Sequence, residues 1–111
     1  MENKQNDLQL IVQQFDINSN ESLMTINNEE NFLIELRRLL SAKVLELLKS
    51  NHSKLFSILY RIDVNEIAVR KALNESSLIE AAFKITDLII NRQLQKIASK
   101  QKYKSNPGQA E

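Results

Sequence analysis

Residues 28–50 read NEENFLIELRRLLSAKVLELLKS, and this stretch decides the fold. It contains no glycine or proline, and its apolar residues recur every three or four positions, which predicts an amphipathic α-helix. Glu29 and Glu30 fall in the first turn, where the helix dipole favours negative charge. The predicted helix begins at Asn27 or Asn28. Its apolar face is broad: Phe32, Leu36, Leu39, Leu40, Ala42, Val44, Leu47 and Leu48.

The rest of the chain also lacks glycine and proline as far as Asn106. The single glycine and the single proline of the 111 residues are adjacent, at Pro107 and Gly108. Phosphate-binding loops and tight hairpin turns both depend on glycine, so neither is expected before these positions. The sequence therefore predicts an all-α fold without a sheet. We expect a compact bundle of four to five helices, with the longest helix C-terminal.

The N-terminal part of the chain predicts one helix followed by a loop. The helix has a stripe of apolar residues at helical spacing: Leu8, Ile11, Val12 and Phe15. Asn6 is a candidate cap for it. Five of the thirteen residues in 16–28 are Asn or Asp, which favour turns and predict a loop. A short strand over residues 23–26 is an alternative, although it would lack a clear partner.

Three more helices are predicted after residue 50. A polar turn over residues 51–53 precedes a helix whose apolar members are Leu55, Phe56, Ile58, Leu59, Tyr60 and Ile62. Asp63 and Glu66 match a capping box, in which each residue satisfies the other's backbone N–H, before a short helix. Ser77 and Glu80 repeat that pattern before the last helix.

The last helix is predicted to run to about Lys102 and to change character midway. Apolar residues cover more than half of its circumference over residues 78–90 and become sparse afterwards. We expect it to leave the core near Arg92. The chain then forms a single helical domain over residues 1–104, in which residues 1–28 supply a helix and a loop. Residues 105–111 are expected to be a disordered tail.

Two strings of residues carry further information. In Leu59-Tyr60-Arg61-Ile62-Asp63-Val64, Tyr60 and Arg61 are candidate contacts for a partner, because both residue types anchor interfaces. The structural alternative is that Asp63 caps a helix, Arg61 pairs with a carboxylate and Tyr60 packs with its hydroxyl in water. Together with Asp-Leu-Ile-Ile-x-Arg-Gln-Leu-Gln-Lys-Ile at residues 87–97, this string resembles a small uncharacterised family of bacterial all-helical proteins over roughly residues 30–100. The resemblance implies a self-contained bacterial domain, with no known activity and no site residue.

The chain lacks the residue patterns of a catalytic site. His52 is its only histidine, and a general base or metal ligand needs further groups beside it. The acidic residues are scattered instead of paired: Glu35, Glu46, Glu66, Glu80 and Asp87. We therefore predict that the protein is not an enzyme and has no catalytic residue, metal site, cofactor or small-molecule substrate. His52 is expected to be an exposed structural side chain.

The charge of the chain is unevenly distributed. Residues 1–50 hold five Lys or Arg and eight Asp or Glu, whereas residues 51–111 hold ten and six. The basic residues of the last helix include four spaced by four, which form a ridge along one face: Arg92, Lys96, Lys100 and Lys104. Such a ridge could contact the phosphates of a nucleic acid or another anionic partner. The alternative is a solvated helix end whose cations complement the helix dipole.

Compartment and partner follow from the same features. The absence of cysteine fits a reducing cytoplasm. The polar first residues contain no apolar signal core, and no apolar run is long enough to span a membrane, so a cytoplasmic protein is expected. The surplus of apolar positions over 32–48 and 78–90 suggests a partner, because a symmetric dimer would bury both faces. We therefore predict a non-catalytic interaction module that contacts itself, as a homodimer, or another helical protein. A small nucleic-acid-associated protein is the alternative.

Overall fold

The computed structural model describes residues 4–17, 26 and 28–105, with side chains for residues 8–17, 26 and 28–100. Over these residues the chain folds into five helices and forms no strand. The helices are α1 (Lys4–Gln14), α2 (Glu29–Ser50), α3 (His52–Arg61), α4 (Glu66–Glu75) and α5 (Leu78–Ser105). The predicted all-α bundle is confirmed, and its longest described helix is α5, with 28 residues. No described helix is both long and apolar enough to cross a bilayer.

Helices α2 and α5 form the centre of the bundle. They pack against each other, α1 contacts both of them, α3 packs on α2, and α4 packs on α5. The core between them is continuous and apolar, and its largest fully buried side chains are Phe15, Phe32, Leu8, Ile11, Leu36, Leu40, Leu55, Ile85 and Ile89. Burial of such side chains, at roughly 1.5–3 kcal/mol each, is the main stabilising term.

Helix α1 begins earlier than predicted. It starts at Lys4, so Asn6 lies inside the helix and does not cap it, which corrects the prediction for that residue. The predicted apolar stripe is buried, with Leu8 and Phe15 fully enclosed. Of the loop predicted over residues 16–28, and of the alternative strand over 23–26, all but positions 16, 17, 26 and 28 lie outside the described residues. Ile26 is not in a strand and packs, half-buried, against the core.

The turn predicted over residues 51–53 is reduced to one residue. Asn51 accepts a hydrogen bond from the Lys54 N–H at 3.1 Å, while its own N–H donates to the carbonyl of Leu47 at 2.8 Å. It therefore ends α2 and caps α3 at the same position. His52 is the first residue of α3 and is exposed.

Aspartate takes the place of glycine at the C-terminal ends of α1 and α3. Asp16 and Asp63 have φ angles of 53° and 64°, in the left-handed region that favours glycine. The N–H of Ile17 donates to the carbonyl of Val12 at 3.1 Å, and the N–H of Val64 donates to that of Leu59 at 3.1 Å. These six-to-one bonds, with buried apolar residues at both ends, define Schellman motifs. A chain without an internal glycine thus ends two helices with aspartate.

The capping box predicted at Asp63 and Glu66 is wrong. The cap of α4 is Asn65, whose side chain accepts a hydrogen bond from the Ala68 N–H at 3.1 Å. Asp63 occupies the left-handed position that ends α3, so its side chain is not placed to cap α4. Glu66 pairs instead with Arg70 at 2.6 Å, one turn along α4.

At the start of α5, Ser77 and Glu80 form a reciprocal capping box. The Ser77 Oγ accepts from the Glu80 N–H, and a Glu80 carboxylate oxygen accepts from the Ser77 N–H, both at 3.2 Å. The expectation that α5 leaves the core near Arg92 is wrong, because Ile97 is buried. Helix α1 is one of the helices that pack on α5. The helix runs to Ser105, and the rest of the predicted tail lies outside the described residues.

Candidate interaction surfaces

The first candidate surface is a groove between α2 and α5. Ile34 is 62% exposed, Ile79 58% and Phe83 39%, although all three are large apolar side chains. They line one shallow groove of about 540 Å³, together with Leu45 and the small residues Ser41 and Ala82. Ser41 and Ala82 are buried, so the exposed side chains stand on either side of a floor of small residues.

Two ion pairs fix the charged side chains of this groove. Arg37 joins α2 to α5, because its Nε and Nη2 donate to the two carboxylate oxygens of Asp87 at 2.7 and 3.2 Å. Its guanidinium also lies 5.0 Å from the ring centroid of Phe83, in a cation–π contact. On α2 alone, Arg38 donates to Glu35 at 3.0 and 2.6 Å. The two pairs carry no net charge.

These hydrogen bonds also affect titration. The bonds to Asp87 raise the pKa of Arg37 above its ordinary value, and those to Glu35 raise the pKa of Arg38. Both arginines therefore remain charged over the whole physiological pH range.

The bundle itself covers most of the apolar surplus on α2 and α5. Phe32, Leu36, Leu40 and Val44 are fully buried within the chain, as are Ile85 and Ile89. The surplus that suggested a partner is therefore smaller than the sequence indicates. What remains exposed is concentrated at the α2–α5 groove. The predicted apolar face of α2 does not include Ile34, because this residue lies off the main apolar stripe. An apolar residue in that position is itself the signal of a second apolar face.

The second candidate surface lies between α3 and α4. Tyr60 is 88% exposed and lines a groove of about 430 Å³ with Phe56, Val64 and Val69. Arg61 points elsewhere, since its Nη1 donates to the amide oxygen of Gln14 on α1 at 3.0 Å. The side chains of Tyr60 and Arg61 therefore make different contacts and do not form one surface. The partner of Arg61 is an amide instead of the expected carboxylate.

The basic residues of α5 are used in part within the fold. Arg92 donates from Nε to the carbonyl of Asp63 and from Nη2 to its carboxylate, both at 3.0 Å. Lys96 Nζ donates to the carbonyl of Ile62 at 2.7 Å. Both cations thus stand at the C-terminal end of α3, where carbonyls lack helical partners and the dipole is negative. Lys100 is exposed, and the side chain of Lys104 lies outside the described residues.

Among the described residues, no group of three or more histidine, aspartate or glutamate side chains is arranged to hold a metal ion. No family model matches this chain, and no curated protein or solved structure matches it. The resemblance to a family of bacterial helical proteins therefore stays a prediction. The functional interpretation rests on the surfaces of the chain itself.

Proposed function

We propose that this protein is a non-catalytic interaction module that acts through helix–helix contacts, as a homodimer, and that the α2–α5 groove is its contact surface. The observation that carries the proposal is the exposure of Ile34, Ile79 and Phe83 along one groove. Concentrated exposed apolar surface marks interaction sites, whereas single exposed apolar residues need no explanation.

The composition of the groove supports a protein partner. Apolar and aromatic side chains surround its centre, and Arg37 and Arg38 lie on the α2 side, each already paired with a carboxylate. Interface cores are enriched in aromatic residues and arginine and depleted in unpaired charge. The floor of small residues leaves room for side chains of another helix, as ridge-into-groove packing requires. The absence of cysteine is consistent with such a module in a reducing cytoplasm.

A pair of charge substitutions tests the proposal. Ile79→Glu places a carboxylate in the groove, whereas Ile67→Glu makes the same change on α4, which contributes no residue to it. Both isoleucines are exposed, so neither substitution creates a cavity in the core. In sedimentation at micromolar concentration, Ile79→Glu should sediment as a single chain, while wild type and Ile67→Glu sediment as dimers. Equal behaviour of the two variants would count against the groove.

The nucleic-acid alternative receives less support. Its contact residues would be Arg92, Lys96, Lys100 and Lys104, and the first two already bind backbone carbonyls of the α3–α4 corner. A cation held in this way has fewer N–H donors left for a phosphate, and its position is fixed by the fold. The alternative stays a prediction, and a binding experiment that decides it is given in the Discussion.

A further inference from the structure

One stripe of α2 has similar or complementary side chains at matched positions on the two sides of its centre. It runs through Glu30, Ile34, Arg38, Ser41, Leu45 and Lys49, at steps of four, four, three, four and four residues. The ends are an acid and a base, the next positions are both apolar, and the centre is a long polar residue beside a short one. The matched pairs are positions 30 and 49, 34 and 45, and 38 and 41, and the midpoint of each pair falls between residues 39 and 40.

From this pattern we infer that two copies of the chain associate about a two-fold axis that passes between residues 39 and 40 of α2, with the two α2 helices antiparallel. Glu30 then meets Lys49 of the second copy, Ile34 meets Leu45, and Arg38 meets Ser41. This inference rests on the proposed homodimer and specifies its geometry. The alternating steps of three and four from Ile34 to Leu45 are those of a helix–helix seam.

Charge complementarity selects the antiparallel arrangement. Glu30 and Lys49 are both exposed, and neither forms a salt bridge with another described residue. The antiparallel pair brings each of them to an opposite charge and also opposes the two helix dipoles. A parallel pair would instead place Glu30 against Glu30 and Lys49 against Lys49, which like-charge repulsion disfavours.

The centre of the seam is compatible with close approach. Arg38 enters it with its charge already balanced by two hydrogen bonds to Glu35. Across the axis it faces Ser41, whose short side chain leaves room for the aliphatic part of the arginine. The Ser41 Oγ donates to the carbonyl of Arg38 within its own helix at 3.0 Å, so its hydrogen is satisfied without the second copy.

The absence of cysteine allows a direct test of this register. A disulfide needs Cα atoms within about 7 Å. In the antiparallel dimer, position 34 lies opposite position 45 of the second copy. The two copies of position 34 are separated by about 16 Å along the helix, at about 1.5 Å per residue. Ile34→Cys and Leu45→Cys would be made as two separate variants and oxidised alone and as an equimolar mixture.

The expected result is a shift from the 12.8 kDa chain to a two-chain band on a non-reducing gel in the mixture only. A two-chain band from Ile34→Cys alone would overturn the antiparallel register in favour of a parallel one. If the mixture gave no two-chain band but light scattering showed a dimeric mass, the protein would be a homodimer that does not associate through this face of α2. A single-chain mass for wild type would overturn both. Far-UV circular dichroism checks that each variant folds.

Discussion

Arg92 and Asp63, 29 residues apart in sequence, are joined by two hydrogen bonds of 3.0 Å, one to the backbone carbonyl and one to the carboxylate of Asp63. This contact ties the longest helix to the corner that ends α3. Asp63 occupies a left-handed position, and a nearby cation balances its charge. Asp16 at the end of α1 repeats the arrangement, since its carboxylate lies 3.1 Å from Lys54 Nζ on α3. Both aspartate helix ends are therefore fastened by a cation from another helix.

Arg92→Met should lower the free energy of unfolding by roughly 1–2 kcal/mol, because it removes both hydrogen bonds and keeps much of the aliphatic stem. Arg70→Met is the matched control. Arg70 forms an exposed pair with Glu66 on one helix, and such pairs contribute only about 0.3–0.5 kcal/mol. Urea unfolding of both variants measures the difference. Equal losses would show that the link between α5 and the corner contributes no more to stability than an exposed ion pair within one helix.

At position 16 the stability should follow the order Gly, then Asp, then Val. Glycine adopts the left-handed conformation without cost, which offsets the loss of the exposed contact with Lys54. Valine is branched at Cβ and should lower stability by about 1–2 kcal/mol. Thermal unfolding of Asp16→Gly and Asp16→Val provides the comparison. A valine variant as stable as the glycine variant would contradict the assigned helix ending.

Ser77→Ala should cost about 1 kcal/mol, because it removes the oxygen that accepts the Glu80 N–H at the start of α5. The control is Ser99→Ala, an exposed change in the body of the same helix, where alanine is the better helix former. Chemical unfolding should therefore separate the two variants. If Ser99→Ala lost as much stability as Ser77→Ala, the effect could not be assigned to capping.

Because Lys96 donates to the carbonyl of Ile62, reversal of its charge should destabilise the fold. Since Arg92 and Lys96 are both held by contacts within the fold, the wild-type protein should show no salt-sensitive affinity for nucleic acid. Fluorescence anisotropy with labelled duplex DNA and single-stranded RNA at low ionic strength tests the second expectation. Binding that weakens with salt and is lost in a folded Lys100→Glu variant would establish the nucleic-acid alternative.

The parts of the fold that depend on local pattern could be predicted from the sequence. The capping box of Ser77 and Glu80 has the standard form and fixes the start of α5. The same spacing misled at Asp63 and Glu66, because spacing alone does not distinguish a helix cap from a left-handed helix end. The repeated triplets Phe15-Asp16-Ile17 and Ile62-Asp63-Val64, each following a helix, hold the signal that identifies both endings.

The candidate surfaces could be predicted only in part. The exposure of Tyr60 is compatible with its role as a candidate contact, but the basic ridge of α5 could not be interpreted from its spacing alone. Arg92 and Lys96 have partners in a corner about 30 residues away, and such contacts depend on tertiary packing. In the sequence, the α2 side of the α2–α5 groove is indicated only by Ile34, an apolar residue off the main stripe. Its significance is clear only once the opposite face of α2 is seen to be buried.

The central claim is that this chain associates with itself through α2 and α5. Sedimentation equilibrium of the wild-type protein over a micromolar concentration series tests it most directly. The account predicts a mass of two chains that falls towards 12.8 kDa only on dilution. A mass of one chain at every concentration in the series would contradict it.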